Sequence, residues 1–175
     1  SLKNYVFFKE FSMHHAAITC MDISKDNKYI AIGSKDFTFS VFEIETGQLR
    51  FVSRDHSNAI SQLFFDPSSS FLITASMDGT ARVYRVADFE LAKPNSLVLK
   101  YTSKINGAQL SPSKGKFMLA CDDAKVVEVN VKGKVLSAFI GHSARVSCLD
   151  ISHNKKMMAS GSDDKTIRIW DAKTR

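Results

Sequence analysis

The chain has 175 residues, with 24 Lys plus Arg against 18 Asp plus Glu, a formal net charge of +6. With 44% apolar and 24% charged residues, it reads as a foldable globular chain, which excludes disordered, collagen-like and low-complexity classes. No apolar run approaches the roughly 18 residues of a membrane-spanning helix, and no secretory signal pattern opens the sequence. Three cysteines with no Cys-x-x-Cys pair argue against a disulfide framework or a Cys-based zinc site. Cys20, Cys121 and Cys148 read as buried, reduced small hydrophobes.

Along the chain, short apolar runs alternate with polar turns, so the chain is predicted to be all-β. Residues 5–11 form the first extended run. After His14 come strand-like runs at 18–23, 29–34 and 38–42, separated by the turns Lys25-Asp26-Asn27-Lys28 and Lys35-Asp36. An extended run at 49–53 precedes His56, and runs at 60–65, 71–76 and 80–84 repeat the order, with turns at 66–70 and 77–79. A degenerate copy follows the run at 97–102: it starts at Ile105, turns at 111–116, and continues through 117–121 and 126–129. The run at 135–140 leads into the last copy, GHSARVSCLDISHNKKMMASGSDDKTIRIWD, over residues 141–171. The first-strand residues Ile18, Ile60, Ile105 and Val146 are spaced by 42, 45 and 41 positions. Each of the four units therefore has one outer run and three inner ones, at approximately 5–43, 47–85, 96–130 and 134–171 of a single domain spanning 1–175.

The Gly-His opening, the Trp-Asp close and this period resemble WD-repeat β-propellers, and the last unit is most similar to the transducin (G-protein beta) branch. The resemblance implies that each unit supplies the outer strand of one blade and the three inner strands of the next. Propellers of this family usually have about seven blades, which needs roughly 300 residues at this period. Three arrangements fit the phase of the repeats: part of a longer propeller, a ring completed by a second chain, or closure alone on four blades with 5–11 beside 166–170.

His142, Ser160 and Asp164 carry the residue types of a hydrolytic triad. In WD repeats the same positions, with the third-strand Trp, form a structural hydrogen-bond network. His142, Ser160, Asp164 and Trp170 match it fully, and His56, Thr74, Asp78 and Tyr84 match with Tyr for Trp. His14 and Asp36 are a partial set, with Ile32 in place of Ser/Thr and Phe42 in place of Trp, and the third unit keeps only Asp123 in this register. A constellation repeated in successive units is architectural, because an enzyme needs one active site. No enzymatic activity, cofactor or metal is expected: Asp122-Asp123 and Asp163-Asp164 fall in turns, where Asp serves the backbone, and His14-His15 has no third ligand at a useful spacing.

On the family's geometry, the turn before the first strand and the turn between the second and third share one face. WD propellers most often hold peptides there. The candidate contact residues, chosen by repeat position, are Ala17, Lys35, Ala59, Met77, Asp122, Arg145 and Asp163. The opposite face collects Lys25, Lys28, Lys114, Lys116, Lys155 and Lys156 from one turn type, and Lys93, Lys132, Lys134, Lys173 and Arg175 from the other. Such a face suits an acidic protein, an anionic surface or an RNA backbone, or it simply keeps sheet edges soluble. No aromatics interleave with these lysines, so base stacking is unsupported. The expected function is a non-catalytic scaffold for other proteins or peptides in an intracellular multiprotein complex. The alternatives are a G-protein beta-like or trafficking exchange-factor-like regulatory propeller, and a ribonucleoprotein component binding RNA through the basic face.

Overall fold

In the computed structural model, residues 7–91, 95–113, 115–130, 132 and 134–172 are described. The alternating runs rich in β-branched and aromatic residues form antiparallel strands. Blade 1 is β1 (Ile18–Ile23), β2 (Tyr29–Ser34), β3 (Phe39–Glu43) and β4 (Leu49–Ser53), paired in that order. Blade 2 is β5 (Ile60–Phe65), β6 (Phe71–Ser76), β7 (Thr80–Arg85) and β8 (Ser96–Lys100), with a single 3-10 turn at Val86–Asp88. Blade 3 is β9 (Ile105–Leu110), β10 (Lys116–Cys121), β11 (Lys125–Asn130) and β12 (Val135–Ile140). Blade 4 has only β13 (Val146–Ile151), β14 (Met157–Ser162) and β15 (Ile167–Asp171).

The core lies between blades. Ala31, Phe39 and Val41 of blade 1 meet Ile60, Leu63 and Tyr84 of blade 2. Ile73, Ala81 and Leu99 of blade 2 meet Ile105, Leu119 and Val127 of blade 3. Met118, Val126 and Phe139 of blade 3 meet Val146 and Met158 of blade 4. Each blade therefore buries two faces only when it has a neighbour on both sides.

A repeated device fixes the spacing of blades. Every first strand carries a β-bulge against its second strand, and the extra residues are Thr19, Ser61, Asn106 and Ser147. The bulge turns that side chain toward the next blade. Thr19 Oγ1 donates to the Ile60 carbonyl at 2.6 Å, Ser61 Oγ to the Ile105 carbonyl at 2.6 Å, and Asn106 Nδ2 to the Val146 carbonyl at 2.9 Å. Gly33, on the second strand of blade 1, lets this contact close: a Cβ there would lie 2.7 Å from both Cys20 Sγ and Ile60 Cγ2.

Two sequence expectations differ from the structure at the ends of the arc. Residues 7–11 form no strand, because no strand lies beside them to exchange hydrogen bonds; residues 5 and 6 lie outside the described residues. The segment instead packs on blade 1: Phe11 rests on Phe42 at 4.9 Å, and Lys9 donates to the Ile44 and Glu45 carbonyls at 3.1 and 2.7 Å. The four-blade closure of 5–11 beside 166–170 is therefore not formed among the described residues. Of the three cysteines expected to be buried, only Cys121 is; Cys20 is half-buried and Cys148 is exposed, because no further blade covers β13.

Candidate functional site

Two turns per blade are tied together at one end of the molecule, here called the upper rim. Lys35 N–H donates to the Ala17 carbonyl at 2.9 Å, Met77 to Ala59 at 3.0 Å, Asp122 to Lys104 at 3.0 Å and Asp163 to Arg145 at 3.1 Å. All seven rim candidates therefore fall in these four pairs. Lys104 completes the set and was missed, because the third unit has no His to mark the turn before its first strand. The signal available was position: Lys104 immediately precedes Ile105, as Ala17 precedes Ile18. Arg145 and Asp163 also form an ion pair at 2.6 Å with both side chains half-exposed. Ala59 is buried and offers a partner little beyond its backbone. Met13, His15, Asp36, Thr38, Val52 and Arg54 line a shallow depression on the rim of blade 1.

Beneath each pair lies the repeated polar network. In the last unit Trp170 Nε1 donates to Ser160 Oγ at 2.8 Å, Ser160 Oγ meets His142 Nε2 at 2.8 Å, and His142 Nδ1 meets Asp164 Oδ2 at 2.7 Å. Indole N–H only donates. A chain in which Ser160 gives its proton to Nε2 and His142 gives its Nδ1 proton to the carboxylate satisfies every atom. Asp164 also accepts from Ser143 N–H at 3.1 Å and Thr166 Oγ1 at 2.6 Å. The Thr166 hydroxyl, His142 and the backbone bonds hold its carboxyl below the usual carboxylate range.

In the second unit His56 Nδ1 meets Asp78 Oδ2 at 2.9 Å and Nε2 meets Thr74 Oγ1 at 2.9 Å. Tyr84 does not join this chain as expected. Its hydroxyl meets Ser53 Oγ at 3.1 Å and donates to Asp55 Oδ2 at 3.3 Å, because a phenol oxygen extends past the place an indole nitrogen would occupy. Burial pushes His56 below its ordinary value, toward the neutral form. Burial works against ionisation of Asp78 too, yet the Thr80, Ser57 and His56 bonds leave it below the usual carboxylate range.

The other two units complete their networks with residues that the sequence did not mark. His14 Nδ1 meets Asp36 Oδ2 at 3.0 Å, and Ser40 Oγ replaces the missing second-strand hydroxyl, 2.8 Å from His14 Nε2. Ser40 is the cross-strand partner of Ile32, so the hydroxyl has moved one strand over on the same face. In the third unit Tyr101 stands where the His would be, 22 positions before Asp123, and donates to Asp123 Oδ2 at 3.0 Å. Lys125 Nζ bonds the same oxygen at 3.0 Å. Asp36, Asp78 and Asp164 each accept from the backbone N–H two residues on and so fix their own turns, whereas Asp123 Oδ1 is buried with no hydrogen-bond partner among the described residues. Among the described residues, no group of three or more His, Cys, Asp or Glu is arranged to hold a metal ion.

At the lower rim the lysines sort by blade. Lys132, Lys134, Lys155 and Lys156 are exposed on blades 3 and 4, while Lys116 is tied to Glu128 at 3.6 Å. On blade 1, Lys25 and Lys28 share the rim with Asp26, Glu43 and Glu45; on blade 2 the turns carry Asp66, Asp88 and Glu90. Among the described residues, acidic side chains interrupt the expected basic face on blades 1 and 2, and on blade 4 Asp171 ends β15 where Glu43 ends β3. Lys93, Lys114, Lys173 and Arg175 lie outside the described residues.

The family model "WD domain, G-beta repeat" matches residues 6–43, 47–85 and 133–171. This chain belongs to the WD40 repeat family. The unmatched stretch is the unit in which Tyr101, Leu119 and Val129 replace the usual residues. Among relatives, the chain is 27% identical over 90% of its length to "Periodic tryptophan protein 2" of Arabidopsis thaliana, covering 18% of that protein. It is 29% identical over 82% of its length to "U3 small nucleolar RNA-associated protein 21" of Saccharomyces cerevisiae, covering 15% of it. Over 86% of its length it is 24% identical to "Pre-mRNA-processing factor 19" of Mus musculus, covering 30% of it. The chain thus spans under a third of each of these relatives. The solved structure of the computationally designed Ika4 protein shares the fold, with a TM-score of 0.76 at 24% identity over 94% of this chain and 99% of that one. No helix among the described residues is long and apolar enough to cross a membrane.

Proposed function

We propose that this chain is a non-catalytic WD-repeat scaffold segment, one domain of four units, that docks other proteins or peptides on its upper rim within an intracellular multiprotein complex. The observation that carries this reading is the rim itself. Four backbone-tied pairs bring Lys35, Met77, Lys104 and the Arg145–Asp163 pair to equivalent places above the repeated polar networks. Loops held this way select partners by side chain while the blades stay fixed. The names of two of these relatives refer to RNA. A second reading is therefore contact with RNA through Lys132, Lys134, Lys155 and Lys156, which is favoured by the exposure of all four on blades 3 and 4.

Affinity capture with mass spectrometry, with and without ribonuclease, separates the two. The triple variant Lys35→Glu, Lys104→Glu, Arg145→Glu is expected to lose ribonuclease-resistant protein partners. Loss confined to the quadruple Lys132→Glu, Lys134→Glu, Lys155→Glu, Lys156→Glu variant, and abolished by ribonuclease, would replace the first reading with the second.

A further inference from the structure

Blades 1 and 2 carry the same slot at their lower, outer edge, and only one copy is filled. On blade 1, Tyr29 of β2, Val41 of β3 and Phe51 of β4 lie on the face turned toward blade 2. The loop that joins β7 to β8 of blade 2 fills this row. After the turn at Val86–Asp88, Phe89 stacks on Phe51 at 5.3 Å and 7° and meets Tyr29 edge-on at 6.4 Å. Phe89 is left 2% exposed and Tyr29 8%. The next residue, Glu90, turns outward and pairs with Arg50 at 3.6 Å. The ligand that this slot takes within the chain is thus an aromatic side chain between two acids, Asp88 and Glu90.

Blade 2 repeats the slot toward blade 3. The strand registers put Phe71, Val83 and Leu97 where blade 1 has Tyr29, Val41 and Phe51. Val83 packs on the core shared by blades 2 and 3, so the row faces blade 3. The blade 3 loop that corresponds to the filling loop starts at the equivalent place, because Val129, like Tyr84, lies in the core shared with the preceding blade. It is shorter: residues 86–95 join β7 to β8, whereas only 131–134 join β11 to β12. The short turn also closes on itself. Asn130 N–H donates to the Lys134 carbonyl at 3.1 Å, and Asn130 Oδ1 accepts from the N–H groups of Lys132 and Lys134 at 2.9 and 3.0 Å. Phe71 and Leu97 are left 40% and 43% exposed. The border of the slot differs in charge as well. Glu43 lies opposite Tyr29 on blade 1, but Arg85 lies opposite Phe71 on blade 2, and the short turn adds the exposed Lys132 and Lys134.

We propose that the row Phe71, Val83 and Leu97 docks an aromatic side chain from an acidic segment of another protein, a Phe, Tyr or Trp with Asp or Glu on either side. The ring covers Phe71 and Leu97 as Phe89 covers Tyr29 and Phe51. The flanking carboxylates meet Arg85, Lys132 and Lys134, in the role that the Glu90–Arg50 pair plays on blade 1. Both walls of the slot belong to four-stranded blades inside the chain. The slot lies at the opposite edge from the upper rim, so peptide binding here and partner capture there are measured separately.

The chain's own loop supplies the probe, a fluorescein-labelled peptide of residues 86–91, Val-Ala-Asp-Phe-Glu-Leu. Fluorescence polarisation with the whole chain is expected to show saturable binding with a Kd below about 1 mM. The peptide carrying Phe89→Ala, and the peptide carrying Asp88→Lys and Glu90→Lys, should each bind about tenfold more weakly. Leu97→Lys in the chain should have an effect of the same size, with circular dichroism reporting an unchanged fold. Arg85→Glu with Lys132→Glu in the chain should restore to the lysine-bearing peptide most of what the charge change cost it. Absence of saturable binding would overturn the proposal, as would binding that ignores Phe89→Ala in the peptide. Binding that survives Leu97→Lys would overturn it too, by placing the peptide elsewhere, such as the blade 1 slot with the chain's own Phe89 displaced.

Discussion

Gly33→Val is expected to lower the melting temperature by roughly 5–10 °C, a loss of about 2–3 kcal/mol of stability. The reason is local. The first Cβ atom alone would lie 2.7 Å from Ile60 Cγ2 and 2.7 Å from Cys20 Sγ, and Ile60 is fully buried between two blades. Neither neighbour can withdraw without loosening the Thr19–Ile60 bond that spaces the blades. Gly161 supplies the control. Its Cβ would meet only Cys148 Sγ, at 2.9 Å, on a face with no blade beyond it. Gly161→Val should therefore cost less than Gly33→Val in this 175-residue chain, and the difference between the two melting curves measures the contact between blades. Equal losses would remove the inter-blade explanation.

His56→Ala is expected to cost about 3 kcal/mol and roughly 6–12 °C. The imidazole is buried and bonds Asp78 and Thr74 directly, so its removal leaves a cavity, strands Thr74 Oγ1 and takes one bond from Asp78. The pH dependence follows from the same group. Folded His56 has a lowered pKa, so it stays neutral at pH values where the unfolded side chain, with its value near 6.5, takes up a proton. The unfolded state then binds more protons, and stability falls as pH drops through about 6.5. Asp36, Asp78 and Asp164 also titrate below their ordinary range, so their contribution is complete above about pH 4 and drains away as the pH falls further. Calorimetry of the wild type should show a melting temperature that declines below about pH 6.5 and more steeply below about pH 4. In His56→Ala the upper part of that decline should be missing. A wild-type melting temperature that rises between pH 7 and pH 5 would contradict the sign.

Much of this was legible in the sequence because a repeat states its own register. The 42-residue step from Ile18 to Ile60 placed every strand of blades 1 and 2 to within a few residues. The His-Asp spacing of 22 located the network in three units. What was illegible were substitutions that keep a contact while changing the atom that makes it. Ser40 serves His14 from the strand beside the expected position, and Tyr101 reaches Asp123 with an oxygen where the other units use a ring nitrogen. Tyr84 shows the reverse case, a conserved shape whose hydrogen bond goes elsewhere. The bulge residues were illegible for another reason. A small polar residue at the second place of a strand looks like ordinary alternation until the partner strand shows that it is extra. The lower rim misled because charges were grouped by turn type, whereas neighbours on a propeller are grouped by blade. Asp66, Asp88 and Glu90 interrupt what looked continuous.

The division of labour between buried network and upper rim is the claim on which the rest depends. It is tested most directly by measuring melting and partner capture together on two variants: Ser160→Ala, which strands Trp170 Nε1 and His142 Nε2, and the triple Lys35→Glu, Lys104→Glu, Arg145→Glu. The expected result is a crossed pattern. Ser160→Ala melts about 4–8 °C lower, for a loss of about 2 kcal/mol, and still captures the wild-type partners below its transition. The triple variant melts within about 1 °C of wild type, as surface substitutions do, and loses them. The opposite pattern, in which Ser160→Ala melts normally and loses a partner or an activity while the rim variant keeps every partner, would contradict it.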